Sequence, residues 1–247
     1  MEVFRPVAEA DIVICTGTIE FHYYAGYSGG AKSILPAVSS KRSIYANHAL
    51  MLDPKSSAGR LDGDVREDIE EAGAMLGIDF ILNVVLNEKK EILFAVAGDY
   101  IAAHRKGVEF LDRLSKIKVE QADIIIVSPG GWPKDIDIFQ SHKALEHVKN
   151  AMKDEEWLKF NRDEAIERFR SGFVMGGHKA ALIAALSKKA DLYLSSSLPD
   201  DMVRRAYFIP ATLEGSLNIA IKKHGCDAKI LVMPYGGSML VTGIQGR

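Results

Sequence analysis

The sequence predicts an α/β fold, a mainly parallel sheet flanked by helices with one β-hairpin. Three observations carry this expectation. Short apolar runs, Ile12-Val13-Ile14-Cys15, Ile124-Ile125-Ile126-Val127 and Leu192-Tyr193-Leu194, each follow an Ala-Asp pair, as strands buried on both faces do. Amphipathic stretches of helical period alternate with those runs. Finally, Phe80–Leu86 and Ile92–Val96 flank the polar turn Asn87-Glu88-Lys89-Lys90, which reads as a hairpin.

The elements follow in order. The first strand ends at Thr16-Gly17. A glycine-rich stretch, Phe21 to His48, then leads into a helix that starts near Ser39 and stops at Asp53-Pro54. Val65 to Leu76 is a charged amphipathic helix closed by Gly77. After the hairpin comes a helix from Asp99, its N-cap, to Ile117. The second buried strand ends in Ser128-Pro129-Gly130-Gly131. Helices are expected at Phe139–Met152, Asp154–Arg170, His178–Leu186 and Thr212–His224, with a last strand at Lys229–Met233. No linker, repeat or low-complexity tract divides the chain, so one domain over 1–247 is expected. In open α/β sheets ligands sit at the carboxyl ends of strands, which singles out the loops after Cys15 and Val127.

Composition narrows the function classes. The 247 residues are 47% hydrophobic with a formal net charge of -2, which argues against a general nucleic-acid binder. Cys15 and Cys226 form no CxxC pair, so neither a disulfide framework nor a cysteine zinc site is indicated. No apolar run is long enough to span a bilayer, and MEVFRPVAEAD lacks the form of a signal peptide. A cytoplasmic protein without a membrane partner is the expectation.

The stretch FHYYAGYSGGAKSILPAVSSKRSIYANH holds the chemistry, and three readings compete for it. GYSGGAKS is one residue short of a phosphate loop: Ala31 stands where a glycine should precede Lys32. The amides of Gly29, Gly30 and Ala31 could still meet an anion at a helix start. Gly26-Tyr27-Ser28-Gly29-Gly30 matches GxSxG, with Ser28 as a hydrolase nucleophile, His224 as base and Asp191 or Asp200 as acid. The third reading joins His22, Lys32 and His48 in a metal or cofactor site. A lone histidine is more often structural, as His104, His142, His147 and His224 on expected helices would be; His22 and His48 differ because they bracket the glycine turn and the lysine.

The run His22-x-x-Ala25-Gly26-x-Ser28-Gly29-Gly30-x-Lys32-Ser33-Ile34-Leu35-Pro36 with Asn47-His48 resembles the nickel-pincer lactate racemase family. Gly130-Gly131-x-Pro133-x-Asp135 and Gln140-x-x-Lys143 are similar to its substrate loop and helix, and Gly177-His178-Lys179-Ala180 is a third familiar patch. The resemblance runs from about Ala8 to Pro234. It implies racemisation or epimerisation of a small 2-hydroxy acid by hydride transfer to a nickel-pincer nucleotide, a pyridinium-3,5-bisthiocarboxylate mononucleotide. Lys32 would tether that cofactor, Gly29 and Gly30 would cradle it, and His48 would ligate nickel. His22 would act as acid and base on the substrate hydroxyl, with Gln140 and Lys143 positioning the substrate. His178 and Lys179 read as structural.

The resemblance also implies that this chain is the family's C-terminal, cofactor-tethering half. The N-terminal domain, which supplies a second catalytic histidine, would be absent and would join in cis or trans; the chain alone would not be competent. Ala37 stands where the family has glycine, Phe139 where it often has tyrosine, and a segment after Asp154 is missing. A cofactor-binding module without catalysis is the non-enzyme alternative.

Overall fold

The computed structural model describes residues 1–128, 159–173 and 177–244. The chain has helices and sheets in alternation, so the α/β class holds. Its contacts divide into two compact units, the first made of 1–121, 126–130 and 232–247, the second of 122–125 and 131–231. Two of the four crossings between units fall inside strands, Ile124–Val127 and Ile230–Met233, which are hydrogen-bonded to each other. A boundary placed within continuous strands leaves no linker signature in the composition.

In the first unit, α1 (Arg5–Ala8) precedes β1 (Ile14–Thr18). A small antiparallel hairpin follows, β2 (Phe21–His22) with β3 (Gly26–Tyr27), then a 3₁₀ turn at Gly30–Ser33. Helix α2 (Lys41–Ala49) starts where Ser40 caps it, its hydroxyl accepting from the Ser43 amide at 3.2 Å. Helix α3 (Asp64–Leu76) ends at Gly77, whose φ of 80° gives a left-handed cap. Strands β4 (Phe80–Leu86) and β5 (Ile92–Gly98) form the expected hairpin, and β1 pairs parallel with β4. Helix α4 (Ala102–Ser115) starts after Asp99, whose carboxylate accepts from the amides of Ile101 and Ala102 at 3.0 and 2.7 Å. It ends before Ile117, because β6 (Lys116–Lys118) pairs with a late strand instead.

The next strand is β7 (Ile124–Val127). In the second unit, α5 (Arg162–Ser171) is shorter than the sequence suggests: Asn161 closes a capping box with Glu164 and starts the helix there. Helix α6 (Gly177–Leu186), β8 (Tyr193–Leu194), α7 (Asp200–Arg205), β9 (Ile209–Pro210), α8 (Leu213–His224) and β10 (Ile230–Met233) follow. β8 pairs parallel with β9. Back in the first unit, β11 (Leu240–Thr242) pairs parallel with β6. The described strands therefore make one three-stranded sheet and four pairs, not one large parallel sheet. The expected helix Phe139–Met152 lies outside the described residues.

The three-stranded sheet has two unlike faces. One packs on α4 around Ile19, Tyr27, Val85, Val108 and Leu111. The other carries Ile14, Phe80 and Leu82, of which Ile14 is 61% exposed. Such an apolar sheet face in water is unusual for a parallel pair. Glycine is required where the β2–β3 hairpin meets the loop before α3. Gly26 has φ 72°, and a Cβ there would lie 1.6 Å from the Arg60 carbonyl oxygen. Gly26→Ala is expected to cost at least about 2 kcal/mol or to prevent folding. Gly225→Ala, at φ 93° with open space around it, should cost about 1 kcal/mol, both variants being read by urea titration against the parent chain.

Candidate active site

The loop leaving the carboxyl end of β1 carries the histidine and lysine that the sequence singles out. Its path is fixed from beneath by buried polar groups. Ser28 donates its hydroxyl proton to the Thr18 carbonyl and accepts from the Glu20 amide, both at 2.8 Å. The Gly30 amide donates to the buried Asn83 Oδ1 at 2.7 Å. The His104 Nε2–H donates to the Ser28 carbonyl at 2.8 Å, while its Nδ1 accepts from Arg105 at 3.1 Å. Arg66, 1% exposed, donates Nε–H to the Ala25 carbonyl at 3.1 Å and an Nη2 proton to the Tyr27 carbonyl. The Tyr27 hydroxyl reaches Asp112 at 2.7 Å and so ties the hairpin to α4. Gly29 and Gly30, at φ 77° and 61°, are glycines for close approach: a Cβ on Gly29 would meet Asn83 and Ile19 at 2.9 Å, and one on Gly30 the His104 ring at 3.2 Å.

Above this floor, His22 lies against Tyr23, ring centroids 5.1 Å apart, and edge-on to Tyr24 at 4.6 Å. Tyr24 in turn meets His48 edge-on at 5.0 Å, so one aromatic ring bridges the two histidines. The Ala25 amide donates to His22 Nδ1 at 3.2 Å, which orients the ring and leaves the proton of the neutral imidazole on Nε2. His48, on the last turn of α2, is buried beside the fully buried Asn47. Lys32 lies within the 3₁₀ turn, half-buried, with no ion pair to a described residue.

These groups form a desolvated, positively charged neighbourhood. Burial, followed by the Arg66 charge, lowers the Lys32 ammonium to about 8. Burial, then Lys32, Arg66 and His48, lowers His22 to about 3, so its ring is neutral near pH 7. Burial holds Arg66 at about 10, against the pull of Glu70. Arg66 Nη1 is buried without a hydrogen-bond partner among the described residues. Together these features suit an anionic group and an amine able to act as nucleophile.

The structure thus brings His22 and His48 around Tyr24 and sets Lys32 on the same loop. Gln140 and Lys143 lie outside the described residues. The hydrolase arrangement finds no support in the bonding of its members. Ser28 has its hydroxyl proton committed to a carbonyl, and Asp191 pairs with Lys223 at 2.6 Å. An anion cradle of loop amides is reduced too, since Gly30 N–H is taken by Asn83. His104 is structural, as its sequence neighbourhood suggests, and the buried His178 stacks on Phe173 at 5.4 Å. Sequence reasoning missed Arg66, Asn83, Tyr24 and Asp68. Arg66 in particular looks like one more charge of an amphipathic helix.

A nickel cofactor of the kind the motifs imply fits the donor set. Among the described residues no three His, Cys, Asp or Glu side chains cluster to hold a metal, and His48 offers a single imidazole donor. Lys32 suits acylation, and the unpartnered Arg66 Nη1 suits a nearby anion.

An α/β protein with a histidine–lysine–histidine loop at a strand's carboxyl end is the class that fold and site define. Residues 1–59 match the family model described as Lactate racemase N-terminal domain. The lactate racemase of Thermoanaerobacterium thermosaccharolyticum is 31% identical across 98% of this chain and 64% of its own length. That of Lactiplantibacillus plantarum is 31% identical across 96% and 63%. The solved lactate racemase apoprotein of the first organism superposes with a TM-score of 0.83 at 27% identity, over 97% of this chain and 65% of that one. A Thermotoga maritima protein shares the fold, with a TM-score of 0.62 at 16% identity over 98% of this chain and 69% of its own. The resemblance to the lactate racemase family read from the motifs is borne out along nearly the whole chain.

The chain spans a little under two thirds of the length of these curated relatives. The first alignment covers 271 residues against a chain of 247, so the relative carries residues that this chain lacks. The sequence reading assigns the whole chain to the family's C-terminal half; the match of residues 1–59 places the His22–His48 stretch in the N-terminal-domain model instead. Among the described residues no helix is long and apolar enough to cross a membrane.

Buried His104, lowered to about 3 from an ordinary 6.5 chiefly by burial, sets a pH dependence. Below 6.5 the unfolded chain takes up the proton and the folded one does not, so stability falls as pH drops towards 3. His22 shifts the same way. The melting temperature should therefore decline across that window. His104→Gln, which can still donate to Ser28 but does not titrate, should flatten the decline; an unaltered slope would count against it.

Proposed function

We propose that this chain carries the cofactor-tethering part of a racemase or epimerase of small 2-hydroxy acids, an isomerase. The observation that carries the reading is Lys32: a half-buried amine lowered to about 8, with no carboxylate partner among the described residues, on the loop that also holds His22. After burial, the charge of another cation, Arg66, also favours the neutral, nucleophilic amine. The similarity to lactate racemases supplies the reaction class.

On this reading Lys32 holds a nickel-pincer nucleotide through a thioamide and His48 gives the metal a nitrogen. When bound, such a group would supply the electrophile that accepts hydride from a carbon whose proton is too weakly acidic to remove directly. His22 binds the substrate hydroxyl. With Nδ1 accepting from Ala25, it offers Nε2–H as a hydrogen-bond donor. To take the hydroxyl proton, its ring must turn off that amide so that a lone pair faces the substrate. Tyr23 and Tyr24 flank the ring, and the positive charge of Arg66 draws the carboxylate. Gln140 and Lys143 keep their proposed role of positioning the substrate.

We further propose that residues beyond these 247, in cis or trans, complete the site and provide the second histidine. The exposed apolar face of Ile14, Phe80 and Leu82 is the surface that such a region would cover. A cytoplasmic location fits this chemistry. The geometry gives no comparable support to the Ser28 hydrolase, and a non-catalytic carrier differs only in turnover.

Intact-mass and peptide mass spectrometry after co-expression with cofactor-synthesising enzymes should show an adduct on Lys32 with bound nickel, and Lys32→Ala should lose both. An unmodified Lys32 with a fluorophosphonate adduct on Ser28 would reverse the assignment. The 247-residue chain alone should not racemise lactate even when loaded; rapid turnover would show that no further region is needed. In the unloaded chain, acylation of Lys32 by a limiting amine reagent should rise through pH 8, below the range of an ordinary lysine.

A further inference from the structure

His48 ends a hydrogen-bonded chain that begins on a neighbouring helix. Asn47, 1% exposed, donates one amide proton to Asp68 Oδ2 at 2.8 Å and the other to the Val65 carbonyl at 3.2 Å. Both acceptors belong to α3. A flipped amide would set its oxygen against a carboxylate and a carbonyl, so only one orientation satisfies the site. In that orientation Asn47 Oδ1 faces His48 Nδ1 at 3.1 Å. An amide oxygen can only accept, so Nδ1 carries the hydrogen. A neutral imidazole has a single N–H, and Nε2 is then the nitrogen with the lone pair.

We propose that Asn47, braced by Asp68, is a positioning residue that fixes His48 as the Nδ1–H tautomer and thereby reserves Nε2 for the metal. The metal half of this statement rests on the proposed role of His48 as nickel ligand; the tautomer half does not. A buried polar chain behind a ligating histidine does two things. It orients the ring, and it raises the donor strength of the other nitrogen. A carboxylate reached through an amide is a milder form of the direct carboxylate–histidine pair, since the amide passes on only part of the charge. The same bonds join α2 to α3, so a purely structural role is the competing explanation, and the measurement must separate the two.

Two-bond proton–nitrogen spectra of the full 15N-labelled chain, unloaded, with His48 assigned by its loss in His48→Gln, read the tautomer directly. The expected result is Nδ1–H, moving to Nε2–H or a mixture in Asn47→Leu. Asp68→Asn keeps an acceptor for the Asn47 amide and should keep the Nδ1–H form. Asp68→Leu serves if circular dichroism shows Asn47→Leu to be unfolded, and it should also loosen the tautomer. An Nε2–H signal in the unsubstituted chain overturns the proposal, as does an unchanged Nδ1–H signal in the folded leucine variants. In chains loaded with cofactor, nickel retained against a chelator should weaken about 10–100-fold in Asn47→Leu and stay near the parent level in Asp68→Asn. If the parent chain keeps the tautomer but never holds nickel, the ligand assignment fails while the tautomer stands.

Discussion

The site depends on one buried cation. Arg66 reaches from α3 to the carbonyls of Ala25 and Tyr27, on either side of Gly26, where the turn that presents His22 gives way to the segment leading to Lys32. A guanidinium 1% exposed is costly to bury unless its protons are taken up. Two loop carbonyls take up the Nε proton and one Nη2 proton, Glu70 lies 4.0 Å from Nε, and Nη1 has no hydrogen-bond partner among the described residues. The loop is therefore not free to choose its shape: to leave Arg66 is to strand a charge. Burial does most to keep Lys32 and His22 towards their neutral forms, and the charge that fixes the backbone adds to it.

Around that cation the polar groups divide the work by element. Asn83 on β4 and His104 on α4 hold the glycine turn from the sheet and helix sides. Asp68 and Val65 on α3 hold Asn47, and through it His48. Helix α3 thus supplies the brace for both halves of the site, through Arg66 for the loop and through Asp68 for α2. Its packing is close enough that a Cβ on Gly73 would press on Ala31 at 2.7 Å. That contact gives Ala31 a structural place where a phosphate loop would have glycine.

Much of this was legible in the sequence, and the rest was hidden for physical reasons. The β4–β5 hairpin, the Gly77 cap and α8 follow from alternation, turn residues and period. The stretch from His22 to His48 stood out because its residue types make no packing sense. Arg66 did not stand out, since a buried arginine and a solvated one occupy the same kind of position on a charged helix. Asn83 was hidden inside an apolar strand, and Asp68 looked like ordinary helix surface. Strand α/β order suggested a single parallel sheet, but strands such as β8 and β9, two residues each, extend no ladder beyond a pair. The two contact units trade chain partly in mid-strand, which leaves no linker to be read in the composition.

The pairing of β6 with β11 carries a consequence for biosynthesis. Lys116–Lys118 must wait for Leu240–Thr242, and the whole second unit is made between them. While the ribosome completes that unit, the first has its histidine–lysine loop and its hairpin but not its final strand, and β6 has an open edge. Closing so long a loop costs chain entropy, which the β7–β10 pairing offsets by drawing its ends together. Leu240–Thr242 can therefore reach β6 only after every residue of the inserted segment has been made.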